Sequence, residues 1–274
     1  MNIKPSKGYR IFQVFNTIFM IIIIFITLYP FVYLVAQSFS SEAAVSAGKV
    51  TFFPIDFTLD TYKYILRDDS FFRYYGNTIL YSVIGTVISV ISTALLAYPL
   101  SKPRLRLNKF LTPFVVFTMY FTGGLIPNYI LITQWLGFQD SMLAIVLPGA
   151  ISTFNLLVMK SFFAGLPEEL EEAASIDGMG TYGIFLKIII PLSKPIIATM
   201  CLFYLVGMWN EWFGPMMYLE TKDKWPIALW VRQLVEGANN TEIGTSAEAS
   251  SVQATLKSAT MVLTTPVSYT HLRA

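Results

Sequence analysis

From Ile11 to Ala36 the chain carries no charged side chain, and apolar runs of similar length recur at Thr78 to Leu100, Leu111 to Ile132, Met142 to Phe162 and Ile196 to Phe213. A helix needs roughly 20 such residues to cross about 30 Å of hydrocarbon, where nothing else can pair its backbone N–H and C=O groups. The pattern therefore dictates an all-α, polytopic membrane helix bundle. Composition agrees: 54% of residues are hydrophobic and 13% charged, against about a quarter charged in soluble domains. A net charge of +2, with no Lys/Arg-rich run interleaved with aromatics, excludes a nucleic-acid surface. The lone cysteine, Cys201, lies in an apolar run, forms no intrachain disulfide and reads as a small packing residue. Lys4, Lys7 and Arg10 precede the first run. That run exceeds the roughly 7 to 15 residues of a secretory signal, so it reads as an uncleaved span.

Orientation follows from basic residues in short loops. Lys4, Lys7 and Arg10, and then Lys102, Arg104, Arg106 and Lys109 between the second and third spans, mark cytoplasmic segments. The N-terminus is then cytoplasmic, and so is the loop from 164 to 195. The loops at about 37 to 77, 133 to 141 and 214 to 255 face outward, and the aromatics between Phe52 and Tyr75 form an interfacial belt. Pro113, Gly123, Gly124 and Pro127 loosen the third span, which is expected to bend or unwind.

The loop from 164 to 195 is the polar interruption in this apolar chain. Pro167 suits a first helical position, and Glu168, Glu169, Glu171 and Glu172 lie near the positive end of the helix dipole. Gly178 is placed for a left-handed stop, after which Thr181 to Ile190 can form a second helix before Pro191 and Pro195 turn the chain back. The expected product is an L-shaped helix pair. Its small face at Ala173 and Ala174 and its apolar Leu166, Leu170 and Ile184 suit contact with another protein. Between Ser161 and Leu186 there are five acids and no base. Acidity alone would equally describe a solvated connector.

The spacing is more restrictive than the acidity. Glu172-Ala173-Ala174, three residues, Gly178, nine residues and Ile188-Ile189-Ile190-Pro191 resemble the cytoplasmic coupling loop of importer-type ABC transporter permeases, with Ile190 in place of Leu as the one departure. That resemblance implies the type I importer permease fold with six helices, docked on ABC ATPase subunits. Glu172 would face basic groups of the ATPase, Gly178 would form the bend, and Ala173, Ala174, Asp177, Ile188 and Pro191 would complete the coupling site. It further implies a second permease subunit, an extracellular solute-binding lipoprotein, and a multi-pass location in a bacterial plasma membrane. Inward and outward states would interchange by rigid-body motion.

The chain contains no G-x-x-x-x-G-K-[ST] segment, so ATP hydrolysis is assigned to a partner chain and not to this one; no cofactor or metal is expected. The spans hold no charged residue near mid-membrane, unlike ion-coupled carriers, which is the reading from another class.

Trp209-Asn210-Glu211-Trp212 after the fifth span places neutral polar groups beside aromatic faces, as sugars require, or equally an interfacial helix end. That string, Tyr29-Pro30 and Leu100-Ser101-Lys102 resemble the carbohydrate-uptake branch that includes the maltose permease. Gly123-Gly124-Leu125-Ile126-Pro127 and Trp225-Pro226-Ile227 are similar to permeases of Gram-positive bacteria for oligosaccharide or lipoprotein-linked sugar uptake. Asn155, Asn210, Glu211 and Trp212 are the candidate solute-path residues. An amino acid, polyamine or phosphate is the alternative cargo.

A sixth helix begins near Val252 and changes character at Pro266. Residues 266 to 274, PVSYTHLRA, resemble a translated sequencing adapter, so the permease domain is expected to span 1–265 with its sixth helix cut.

Overall fold

A computed structural model describes residues 7–241, together with Thr255 and residues 258–263. The expectation for 266–274 lies outside these residues, and of the sixth helix only Thr255 and 258–263, all helical, are described. Among the described residues the secondary structure is helical, without strands. The chain divides into two compact units, residues 72–230 and residues 1–71 with 231–274.

In the second of these units, α1 (Lys7–Ser38) is a single long helix. Ile11, Phe15, Phe25 and Ile26 are exposed along it, as suits contact with lipid rather than a core of its own. Beyond it, α2 (Glu42–Ser46) starts where the Ser41 side chain accepts a hydrogen bond from the Ala44 N–H. Ala36, Ala44 and Val50 form a small core beneath it. The next helix is α3 (Asp60–Arg67). Phe39 stacks with Phe57 and Tyr62 at 5.5 and 5.0 Å, and the Tyr62 hydroxyl donates to Ser38 Oγ at 2.8 Å.

The unit from 72 to 230 is organised on α4 (Asp69–Ser101). Thr78, Ser82, Thr86, Ser89 and Thr93 recur every three or four positions and are all buried. Within a membrane such small polar residues let helices approach closely, because lipid tails supply no hydrophobic drive between apolar faces. Only α1 and α4 are long and apolar enough to cross a bilayer unbroken among the described residues.

The other apolar runs are divided. The third is α5 (Asn108–Tyr120) and α6 (Leu125–Ile130), the latter continued by a π turn at Leu131–Trp135, and the two halves bend by 109°. Gly124 sits at the break with φ of +86°, which a side chain resists, whereas Pro113 lies inside α5 without breaking it. The run from 142 to 162 is not one helix either. A short α7 (Leu143–Val146) precedes Pro148 and Gly149, and α8 (Thr153–Ala164) starts afresh from the Ser152 side chain. The next helix is α9 (Glu169–Ile176).

A further helical stretch comprises α10 (Thr181–Ile184), a π turn at Phe185–Ile189 and α11 (Ile190–Leu192). It bends by 81° into α12 (Lys194–Trp209). The corner falls at Ser193, between the two prolines expected to make it; Pro191 stays helical and Pro195 occupies the first turn of α12. Asn210 ends α12, its side-chain amide donating to the Val206 carbonyl at 2.9 Å, and α13 (Phe213–Tyr218) begins separately. Pro215 has no N–H to continue α12 but is tolerated in the first turn of α13. The unit's core joins Ala97 and Tyr98 of α4, Leu156, Met159 and Phe163 of α8, Ile184, Phe185 and Ile189, and Met200 and Tyr204 of α12.

Candidate coupling site and solute cavity

The α9 turn is built by its own backbone. Gly178 has φ of +81°, its N–H bonds the Ser175 carbonyl at 3.1 Å, and the Met179 N–H reaches the Ala174 carbonyl at 2.9 Å. These are the paired bonds of a Schellman stop, which satisfy carbonyls that the helix leaves open. A Cβ at Gly178 would meet nothing within 4 Å, so glycine is required here for its backbone conformation and not for space.

Adjacent residues on a helix point about 100° apart, and the structure sorts the motif accordingly. Glu172, Ala173, Asp177 and Pro191 are exposed, while Ala174 is buried and Ile188 is half-buried against the core. The expected small face is therefore split, with only Ala173 open to another protein. Ile184, expected to offer outward apolar contact, packs in the chain's own core. Both departures have one cause: the sides of α9 and α10 that carry Ala174 and Ile184 lie against the bundle, and these two side chains are used in its core.

Sequence reasoning missed Glu171. It is 3% exposed, and Lys102, at the end of α4, forms an ion pair with its carboxylate. The Tyr98 hydroxyl donates to the other carboxylate oxygen at 3.2 Å, and Arg104 approaches that oxygen at 3.7 Å. The Lys102 ammonium also stands 5.3 Å from the Tyr98 ring centroid. Tyr98 in turn packs on Phe185 and Phe163 at 5.0 and 6.3 Å between centroids. One aromatic ring thus joins α4, α8, α9 and the Thr181–Leu192 stretch. Only the presence of Lys102 and Arg104 in a neighbouring loop signalled this in advance. Beside the cluster opens a recess of about 710 Å³, lined in part by Tyr98, Lys102, Arg104, Ser175, Thr181 and Tyr182. A second polar chain fastens the same end: Lys160 donates to Thr112, Thr112 to Asn108, and Asn108 to the Leu100 and Lys102 carbonyls.

Of the candidate solute-path residues, Asn155 and Glu211 line one cavity of about 440 Å³, with Ser152, Tyr204, Gly207 and Tyr218 among its other walls. Asn210 and Trp212 are not among its lining residues. The Tyr204 hydroxyl shares a 2.7 Å hydrogen bond with Thr93 and accepts from the Ser152 N–H at 3.1 Å, which fixes the cavity wall. Glu211 accepts from the Gly214 N–H at 2.8 Å.

At the other end of α4, Asn77 donates to the Asp223 and Trp225 carbonyls and Tyr81 to that of Lys224. Asp140 has φ of +54° and gathers the Glu220 and Thr221 N–H groups, the Thr221 hydroxyl and the Lys224 ammonium, at 2.6 to 3.1 Å. Lys224, then the Thr221 N–H and hydroxyl, hold the Asp140 carboxyl well below the usual carboxylate range. From Asn77 to Tyr98 the helix rises about 30 Å, so the two polar ends are one hydrocarbon thickness apart.

Residues 85–273 match the family model described as the binding-protein-dependent transport system inner membrane component. The chain belongs to this family. It is a membrane permease subunit of an ABC importer. It is 43% identical to the protein LplC of Bacillus subtilis over 84% of this chain and 77% of that one. It is 41% identical to the polygalacturonan/rhamnogalacturonan transport system permease protein YtcP of the same organism, over 82% and 79%. Its structure superposes with a TM-score of 0.88 and 31% identity on a bacterial ABC transporter involved in import of the acidic polysaccharide alginate, covering 99% of this chain and 98% of that one.

Proposed function

We propose that this permease subunit carries an oligosaccharide into a bacterial cell across the plasma membrane, driven by ATP hydrolysis in separate ATPase subunits that dock on α9. The observation that carries this reading is the exposed acidic face of α9. Glu168, Glu169, Glu172 and Asp177 are exposed and have no ion pair among the described residues, on a helix stopped by the Gly178 turn. Such a face complements basic groups of a partner. In this reading the α9 end is cytoplasmic, as is the N-terminus, and Ala173, Ile188 and Pro191 flank the docking face. A second permease subunit and an extracellular solute-binding lipoprotein complete the importer, and this chain itself hydrolyses nothing.

The cargo reading is supported by the sugar-transport names of the relatives and by the cavity, whose neutral polar walls at Asn155, Ser152 and Tyr204 suit hydroxyl-rich ligands. Glu211 adds an acceptor there, whereas Asn210 and Trp212 are proposed to act at the helix end and not in the cavity.

Co-purification from detergent tests the coupling assignment. Glu172→Lys and Gly178→Pro should each abolish retention of the ATPase, and retention at the wild-type level would refute it. Binding of neutral and uronate-bearing oligosaccharides, amino acids and polyamines to the cognate solute-binding protein tests the cargo. Selective binding of an amino acid or polyamine would replace the sugar reading.

A further inference from the structure

We propose that Glu171 is a positioning residue that fastens α9 to the end of α4, so that a displacement of α9 is delivered to α4 as rigid-body movement. This rests on the reading of α9 as the ATPase-docking helix. Little else attaches α9. Of its eight residues only Glu171 and Ala174 are buried, so its apolar anchorage inside the bundle is a single methyl group, helped by half-buried Leu166 and Met179 beyond its ends. The attachment is therefore mainly ionic.

The geometry suits a latch. Lys102 directly follows the last residue of α4 with its side chain 11% exposed, and its ammonium is shared between the Glu171 carboxylate and the Tyr98 face. Tyr98 occupies the second carboxylate oxygen. Arg104, 62% exposed, stands at the water-facing edge of the same oxygen. With both oxygens engaged from α4 and the segment just after it, α9 cannot slide along its axis without leaving a charge unpaired away from water, a strongly penalised state. The Phe163 and Phe185 rings close the apolar side of the cluster. The four remaining acids of the loop are exposed, so the two tasks fall on different faces of one helix: Glu171 inward, Glu172 and its neighbours outward.

Distance measurement between nitroxide labels tests this in the assembled transporter. Labels are placed at Ile91→Cys on α4 and Ile176→Cys on α9, both exposed, in a Cys201→Ala background. A control pair uses Ile91→Cys and Phe154→Cys on α8. The wild-type pair is expected to give a narrow distribution whose mean is the same without nucleotide and with ATP trapped by vanadate. Glu171→Ala, or Glu171→Gln if the alanine variant does not assemble, is expected to broaden that distribution about twofold while the control pair stays narrow. A distribution in the Glu171 variant as narrow as wild type would overturn the proposal, and so would a wild-type mean that shifts with nucleotide. If the wild-type permease retains no ATPase, the docking reading fails on its own, and the nucleotide-free widths still decide the latch.

Discussion

At one end of α4 a single carboxylate, Glu171, is withdrawn from water and held by side chains, whereas at the other Asp140 stays near the surface and is held largely by backbone N–H groups and Lys224. The two solutions fail differently. A buried ion pair gains little over an apolar replacement, yet losing one partner leaves a charge without compensation. An exposed clasp loses its members one at a time, with water replacing each.

The largest expected effect is therefore at Lys102. Lys102→Met should lower stability by about 3 kcal/mol, because Glu171 is left buried with only the more distant, exposed Arg104 as a cation, and adding Glu171→Leu should recover much of the loss. Thermal unfolding in detergent measures both, and a single variant as stable as wild type would erase the distinction between the ends. Gly178→Ala comes next. A side chain at its left-handed φ costs about 1 to 2 kcal/mol, and since no neighbour obstructs the new methyl, the cost is confined to the α9 turn. Weaker ATPase retention with an intact bundle is the expected result. Tyr98→Phe removes one long hydrogen bond to a carboxylate and should cost about 1.5 kcal/mol, read in the same melts.

The smallest effects sharpen the contrast. Raising salt should weaken the exposed Asp140–Lys224 pair and leave the Lys102–Glu171 pair almost untouched, measured as the salt dependence of Asp140→Asn and Lys102→Met relative to wild type. Because the Asp140 carboxyl is held low by Lys224 and Thr221, its contribution is complete above the ordinary carboxylate pKa of about 4. It is lost progressively as pH falls from there to the lower folded value. Melts of wild type and Asp140→Asn should therefore differ by a constant amount from about pH 7 to pH 5 and converge in stronger acid.

Much of this was legible in advance where the information is local. The Gly178 turn needs only a left-handed residue between two helices, and the third-span break falls at Gly124, where a positive φ is required. The division of 142–162 was less legible, because Pro148 and Gly149 sit inside an apolar run that length alone reads as one span. For the cavity, Asn155 and Glu211 come together through the packing of α8 and the end of α12, which no local spacing encodes.

The sequence by itself determined the class of molecule, since lipid permits only backbones that satisfy themselves, and it determined which loop is polar, acidic and turned at Gly178. Tertiary structure alone decided which of two adjacent glutamates faces inward. Glu171 and Glu172 are chemically identical and about 100° apart on α9. The choice between them is made by Lys102 and Tyr98, 69 and 73 positions away in the chain, whose arrival beside α9 depends on the packing of the whole bundle.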